Sequence, residues 1–392
     1  APDANPSGTA EVRMGMSGAG ADVIVHGPDG VQTDTVITDA AGNATVNVEL
    51  GSSVSVIFPS LAVTAGGPNS TMATVLGVAP GDVLVFGLDQ TSVAVDTASV
   101  SFPTQANHSY DIWTSCGSKT STTTSPASFS IATACAAAGY DVAVFDTDNN
   151  TLVRSVQVST GHSGLSATVT GNYVAYTPAN LTIQPARAGL FGDNASSTDF
   201  LQGFSEPGYA RPLDLSTAPD GTLSGAISLA PIAGSTTLFE YDQIAPNLGQ
   251  LQVSTMVDNA SANVSIDPSS ALQPLITYPA VLDVKNERVV WTQVGSGSID
   301  AALAAFYVGV ESDFFLWVVA GPPSNSGLNL PTFSGAFANY AVEPTDLFAM
   351  QQFVTVRLPG GWAALRSQIF VGGDALDLAP GQSNSFQIPG GA

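Results

Sequence analysis

Along most of the chain, apolar and polar residues alternate in short runs broken by Gly, Pro, Asp or Asn. The first runs are EVRM (11–14), ADVIVHG (21–27), VQTDTVIT (31–38), NATVNVEL (43–50) and SVSVIFP (53–59). In NATVNVEL, Val46, Val48 and Leu50 point one way and Thr45, Asn47 and Glu49 the other, which is the period of a half-buried strand. Runs of this length, separated by turn residues, predict a β-sandwich. Between the third and fourth runs, Asp39-Ala40-Ala41-Gly42-Asn43 supplies turn chemistry, so 31–50 is expected to be a hairpin.

The same pattern continues downstream. VLGVAPGDVLVFG (75–87) places the turn Pro80-Gly81-Asp82 between two apolar strands. A second sandwich is expected over 89–178, with core strands such as YDVAVF (140–145). Residues 179–215 interrupt the alternation with Gly, Pro and Asn, as a linker or long loop would. Strands resume in TLSGAISLAP (222–231), STTLFEYDQ (235–243) and GQLQVSTMV (249–257), suggesting a β domain over 216–284. A C-terminal sandwich is expected over 285–392, including ERVVWTQVG, FFLWVVAGPP and FVTVRL. SIDAALAAFYVG (298–309) has helical propensity, but Tyr307-Val308-Gly309-Val310 and its neighbours favour strand. With a lead-in over 1–10 and a first sandwich over 11–88, the fold class is all-β, a tandem of β-sandwiches of Ig-like or transthyretin-like type.

Composition agrees. Only 10% of the 392 residues are charged, while 44% are hydrophobic, so cores can form although helix surfaces rich in Lys, Glu and Arg cannot. Lys plus Arg number 9 against 32 Asp plus Glu, a formal charge of −23. That surface repels phosphate backbones and anionic lipid, which excludes nucleic-acid binding. It suits solubility and divalent cations. The most apolar stretch, 303–321, carries Glu311 and Asp313 at its centre, so no transmembrane segment is read there. The Ala-Pro start fits a mature chain whose leader was removed. Cys116 and Cys135 are the two cysteines; a disulfide clipping neighbouring strands across the SKTSTTTSP loop is expected, and with it an oxidising, extracellular or cell-surface setting.

The stretch GAGADVIVHGPDGVQTDTVITDAAGNATVNVELGSSVSVIF (18–58) resembles the carboxypeptidase regulatory-like, transthyretin-like β-sandwich module. Gly20-Ala21-Asp22-Val23 leads its first strand and Thr38-Asp39-Ala40-Ala41-Gly42 precedes the next. The resemblance implies an accessory role in folding or binding and no catalytic residues. The rest of the chain resembles multidomain bacterial cell-surface β proteins in composition only.

Candidate chemistry is sparse. His26, His108 and His162 are the histidines, and no G-x-S-x-G elbow, H-E-x-x-H or phosphate loop occurs. Gly161-His162-Ser163-Gly164 reads as a turn. Glu206, Glu240, Asp242, Glu311 and Asp313 are the carboxylates a glycosidase would draw on, although strand alternation explains them equally. In FDTDNNT (145–151), Asp146, Asp148 and Asn150 have the spacing that opens a calcium loop, without the later Gly and Glu. Calcium is therefore the one cofactor considered. Sequons stand at Asn43, Asn69, Asn107, Asn149, Asn180, Asn194, Asn259 and Asn263.

Two functions compete. One is a non-enzymatic, exported structural or adhesive protein that associates with itself or with other surface or matrix components. Low Lys content leaves its edge strands poorly guarded. The alternative is a secreted carbohydrate-binding or glycan-processing protein, with Trp113, Trp291, Trp317 and Trp362 lining a groove for polysaccharide.

Overall fold

The computed structural model describes residues 6–15, 18–59, 70–86, 94–148, 152–204, 210–245, 249–259, 262–310, 313–324, 327–366 and 378–388. It is all-β. The first strands are β1 (Ser7–Arg13), β2 (Asp22–His26), β3 (Gln32–Ile37), β4 (Asn43–Glu49), β5 (Ser52–Pro59), β6 (Ser70–Val78) and β7 (Val83–Val85). A second group comprises β8 (Val95–Ser101), β9 (Ser109–Thr114), β10 (Lys119–Thr122), β11 (Ala127–Ala132), β12 (Tyr140–Asp148), β13 (Leu152–His162), β14 (Ser166–Thr168) and β15 (Val174–Ala175), with helix α1 (Thr133–Ala138) after β11. A third comprises β16 (Thr177–Ile183), β17 (Phe191–Phe200), β18 (Ala210–Leu213), β19 (Ser216–Thr217), β20 (Leu223–Leu229), β21 (Thr236–Ala245), β22 (Gly249–Asp258) and β23 (Asn263–Ile266). The last comprises β24 (Leu275–Asp283), β25 (Arg288–Val294), β26 (Ala301–Val310), β27 (Asp313–Gly321), β28 (Gly327–Asn329), β29 (Leu347–Arg357) and β30 (Ser383–Ile388), with helix α2 (Gly361–Leu365) after β29.

Among the described residues, one sheet of twelve strands runs β18-β17-β21-β22-β30-β29-β26-β27-β6-β5-β2-β3. It joins the two ends of the chain through the parallel pair β6–β27, which sets Trp317 opposite Met72 and Val319 opposite Thr74. Parallel strands need cover on both faces, and these have it. On one face Val23, Val25, Val54, Val56, Val75 and Ala320 pack under the small sheet β4-β1-β7. On the other, Ile24, Ile57, Met72, Phe306 and Trp317 pack under β24-β25-β28. Full burial of such side chains stabilises by about 1.5–3 kcal/mol each. Polar bonds tie the strands within the sheet: Ser55 Oγ lies 2.9 Å from Thr74 Oγ1, which also accepts from Trp317 Nε1 at 2.9 Å. Further along, Phe239, Tyr241, Leu251 and Val253 pack under the sheet β19-β20-β16-β23.

The second group forms its own sandwich, β10-β9-β12-β13-β15 facing β11-β8-β14, with Tyr110, Ile112, Val142 and Val144 against Val100, Phe129 and Ile131. Its outer face, Phe145, Ala143 and Val156, docks on Tyr176, Leu201 and Ala230.

Three expectations are corrected. The first and last expected sandwiches are not consecutive beads, because their strands share the twelve-stranded sheet. Residues 179–215, expected as a linker or loop, hold most of β16 and all of β17 and β18; Ala179, Leu181 and Ile183 alternate inward, and the strands accommodate Gly192 in β17 and Pro212 in β18. The 31–50 stretch is no hairpin. β3 pairs with β2 and β4 with β1, in opposite sheets. The turn itself forms as its letters require: Asp39 Oδ1 accepts from the N–H groups of Ala41 (2.8 Å) and Asn43 (2.9 Å), and Gly42 has φ 78°. It carries the chain from one sheet to the other.

Candidate functional site

The open end of the twelve-stranded sheet is β3. Thr38 N–H donates to Ala21 O at 3.0 Å and Gly20 N–H to Thr38 O at 3.2 Å. By the two-residue alternation of an antiparallel pair, Val36 and Asp34 then turn their backbone groups toward β2, Thr35 and Ile37 turn theirs outward, and Thr33 sits at the register shift that follows, its hydroxyl donating to the β2 backbone at 3.3 Å. The side chains of those three residues are exposed as well, as is that of Val31. Val31 is 57% exposed and Ile37 64%, so β-branched side chains flank an edge that no further strand covers past the Val31 bridge. Asp34 is the one charge on the strand, and its Oδ1 accepts from Thr35 N–H at 2.8 Å. Between β3 and β4, itself the edge of its small sheet, lies a cavity of about 510 Å³ lined by Thr9, Thr33, Asp34, Asn47, Glu49 and neighbours.

The start of β3 is crossed by residues 330–334. Val31 and Thr332 form a parallel bridge, Thr332 N–H donates to Gly30 O at 3.0 Å, and Gln32 Oε1 accepts from Ser334 N–H at 3.2 Å. Beneath this crossing His26 is fully buried, 4.9 Å edge-on from Phe333.

The opposite edge, β18, differs. Pro212 there has no N–H to offer, and Arg211 is buried. Its Nε donates to Ser197 Oγ at 3.0 Å, its NH2 lies 3.4 Å from Asp199 Oδ2 and bonds the Ser228 carbonyl, and its guanidinium stacks 5.0 Å over Tyr176. Tyr176 and Thr237 also donate to Asp199, at 2.9 and 2.7 Å. Burial pushes the Asp199 carboxyl up, against the pull of Arg211.

The residues singled out by sequence are scattered. His108 Nδ1 lies 2.6 Å from Asp146 Oδ1, and Ser155 Oγ donates to Asp146 Oδ2 at 3.3 Å. Asp146 is thereby turned inward and bonded on both oxygens. Asp148 closes β12, and Asn150 lies outside the described residues. Among the described residues no three His, Cys, Asp or Glu side chains are grouped to share a metal ion. The His108–Asp146 pair was missed by sequence reading, since 38 residues separate its members.

His162 ends β13, paired to Tyr140, so the expected turn begins one residue later. Glu240 and Asp242, two apart on β21, share one face and line a cavity of about 330 Å³ with Asn194, Ser196 and Gln252. Burial is the main cause raising the Asp242 carboxyl, and facing Asp193 adds to it. Asp313 opens β27; Glu206 and Glu311 lie outside the described residues. Trp291, Trp317 and Trp362 are buried in cores, and Trp113 is half-buried beneath Lys119. The disulfide Cys116–Cys135 is present, with Cα atoms 6.2 Å apart. It links the turn after β9 to α1, in opposite halves of the second sandwich, where a clip between neighbouring strands was expected.

No family model and no curated protein matches the chain. Among solved structures, the Bacillus anthracis TIE protein is similar at a TM-score of 0.16 and 13% identity, over 66% of this chain and 49% of that one. The chain thus spans about half the length of that structure, and a likeness of this size assigns neither fold nor function.

Proposed function

We propose that this is an exported structural or adhesive protein, without catalytic activity, that associates with itself by adding strands at β3. The observation that carries this reading is the end strand β3 itself, whose outer side no strand covers past Val31 and which presents the exposed β-branched side chains of Thr33, Thr35 and Ile37 with a single charge. Strand addition draws affinity from main-chain bonds, which such an edge offers. The disulfide and the acidic surface support an extracellular setting, and no helix among the described residues is long and apolar enough to cross a membrane. The resemblance of 18–58 to an accessory sandwich module points the same way.

Sedimentation at rising concentration tests it. Association is expected in the wild type, and Thr35→Pro, which removes the N–H that Asp34 accepts from and bends the edge, is expected to abolish it. A chain that stays monomeric throughout, or a proline variant that associates equally well, defeats the reading. A second reading, polysaccharide binding, is favoured by the Glu240–Asp242 cavity, whose acceptors suit sugar hydroxyls. Loss of glycan affinity in Asp242→Ala would support it; a protein with no glycan affinity would remove it.

A further inference from the structure

His26 is a fully buried imidazole that faces the Thr332 backbone of the crossing segment, too poorly placed to satisfy either ring nitrogen fully. It sits opposite Gln32 on β3 and Ser53 on β5, under the aromatic edge of Phe333. We propose that His26 is an acid-sensitive latch: protonation of its ring releases residues 330–334 and lengthens the open edge of β3 by Val31 and Gln32. The proposal rests on the reading of β3 as the associating edge.

The geometry makes the latch two-state. A neutral ring is tolerated in an apolar site, but a cation there needs more than the one backbone neighbour at Thr332, and burying it away from water is costly. Burial accordingly holds His26 down to about 4, a shift the Thr332 backbone partly offsets. Opening the crossing segment is the direct route to water; it is held by Thr332 to Gly30, Ser334 to Gln32, Leu330 N–H to Glu287 O at 2.8 Å and Thr332 Oγ1 to Glu287 Oε2 at 2.6 Å, and by the buried side chains of Leu330 and Phe333. Once it leaves, the β3 side of the Val31 bridge and the Gln32 side chain are free.

Several charged groups stand on the elements around His26. They are Asp22 on its own strand, Asp29 in the 27–31 turn, Asp34 on β3, and Glu287 with Arg288 beside the crossing segment; β5 and residues 330–334 carry none. Glu287 is a carboxylate that also holds Thr332, so it is the rival cause.

Hydrogen exchange of the full chain between pH 7 and 3.5, corrected for intrinsic rates, separates the two. If the released ring regains the ordinary value of 6.5, peptides spanning 327–341 should lose protection by roughly 40-fold between pH 6 and pH 4. His26→Phe, which keeps a ring against Phe333, should remove the transition, and Glu287→Gln should retain it. Phe333→Ala should open the segment already at pH 7. A transition that persists in His26→Phe, or its absence in the wild type, overturns the latch. Sedimentation over the same range should show association rising with release. Release without that rise overturns the coupling to β3. A rise that Thr35→Pro fails to suppress overturns the edge reading and leaves the latch standing.

Discussion

The twelve-stranded sheet ends in two unlike edges. At β3 the last strand is β-branched, carries one charge and turns Thr33, Thr35 and Ile37 toward solvent. At β18 the last strand contains a proline and an arginine, and the arginine is folded under into a cage made by Asp199, Ser197, Tyr176 and the Ser228 carbonyl. One edge invites a further strand and the other is closed. Closure at β18 was bought with buried charge, which needs every bond the cage provides. Near β3 the buried polar groups include the hydroxyls of Ser53, Ser55 and Thr74 and the imidazole of His26, which is the one that acid can disturb.

The largest effect expected from breaking this contrast comes at β18. Arg211→Met removes one partner of a pair in which Asp199 is 0% exposed and Arg211 6%. The remaining carboxylate must be buried alone or protonated, so a loss of about 3–5 kcal/mol is expected, read as a lower urea midpoint. Adding Asp199→Leu should recover much of that loss, because an apolar pair has no desolvation cost. If the double variant is as unstable as the single one, the cage stabilises through shape and not through charge.

Next in size is the acid sensitivity of the β3 end. The His26 base is depressed from 6.5 to about 4, so the unfolded chain binds the extra proton and stability rises with pH. The contribution is complete above 6.5 and is lost as pH falls through that value toward 4. At ~1.36 kcal/mol per pH unit the loss reaches about 3 kcal/mol. Denaturant titrations should show wild type losing that much more stability than His26→Phe between neutral and acid pH. Equal pH dependence in both would place the sensitivity among the carboxylates.

The contrast between the edges was only half legible in the sequence. Alternation found most strands, and Val46 and Val48 point inward as read. The turn at Asp39–Asn43 was also legible, since capping and positive φ are local properties. Its partner strands were not, because letters that form a turn do not say whether the chain folds back within a sheet or crosses to another. β18 was hidden for a different reason: with Asp199 and Arg211 buried, the polar positions of β17 and β18 no longer mark the outside. The β6–β27 weld depends on residues more than 240 apart, as Thr74 and Trp317 show, and nothing in either strand specifies the other. The tryptophans were open to two readings, and the structure puts three of them in cores.

The smallest effect on stability carries the sharpest statement about the edges. Ile37→Lys places a charge on the open strand at a residue 64% exposed, where folding stability should move by no more than about 0.5 kcal/mol. Lysine on an edge blocks pairing because an incoming strand would have to desolvate it. Pro212→Thr does the reverse at β18, restoring an N–H where the edge has none. If openness alone governs association, Ile37→Lys should abolish it in sedimentation and Pro212→Thr should strengthen it, with melting temperatures nearly unchanged. Should Pro212→Thr have no effect while Ile37→Lys does, the missing N–H is not what closes β18. The closure would then reside in the arginine cage, which draws the middle of the strand inward and leaves an incoming chain no straight row to follow.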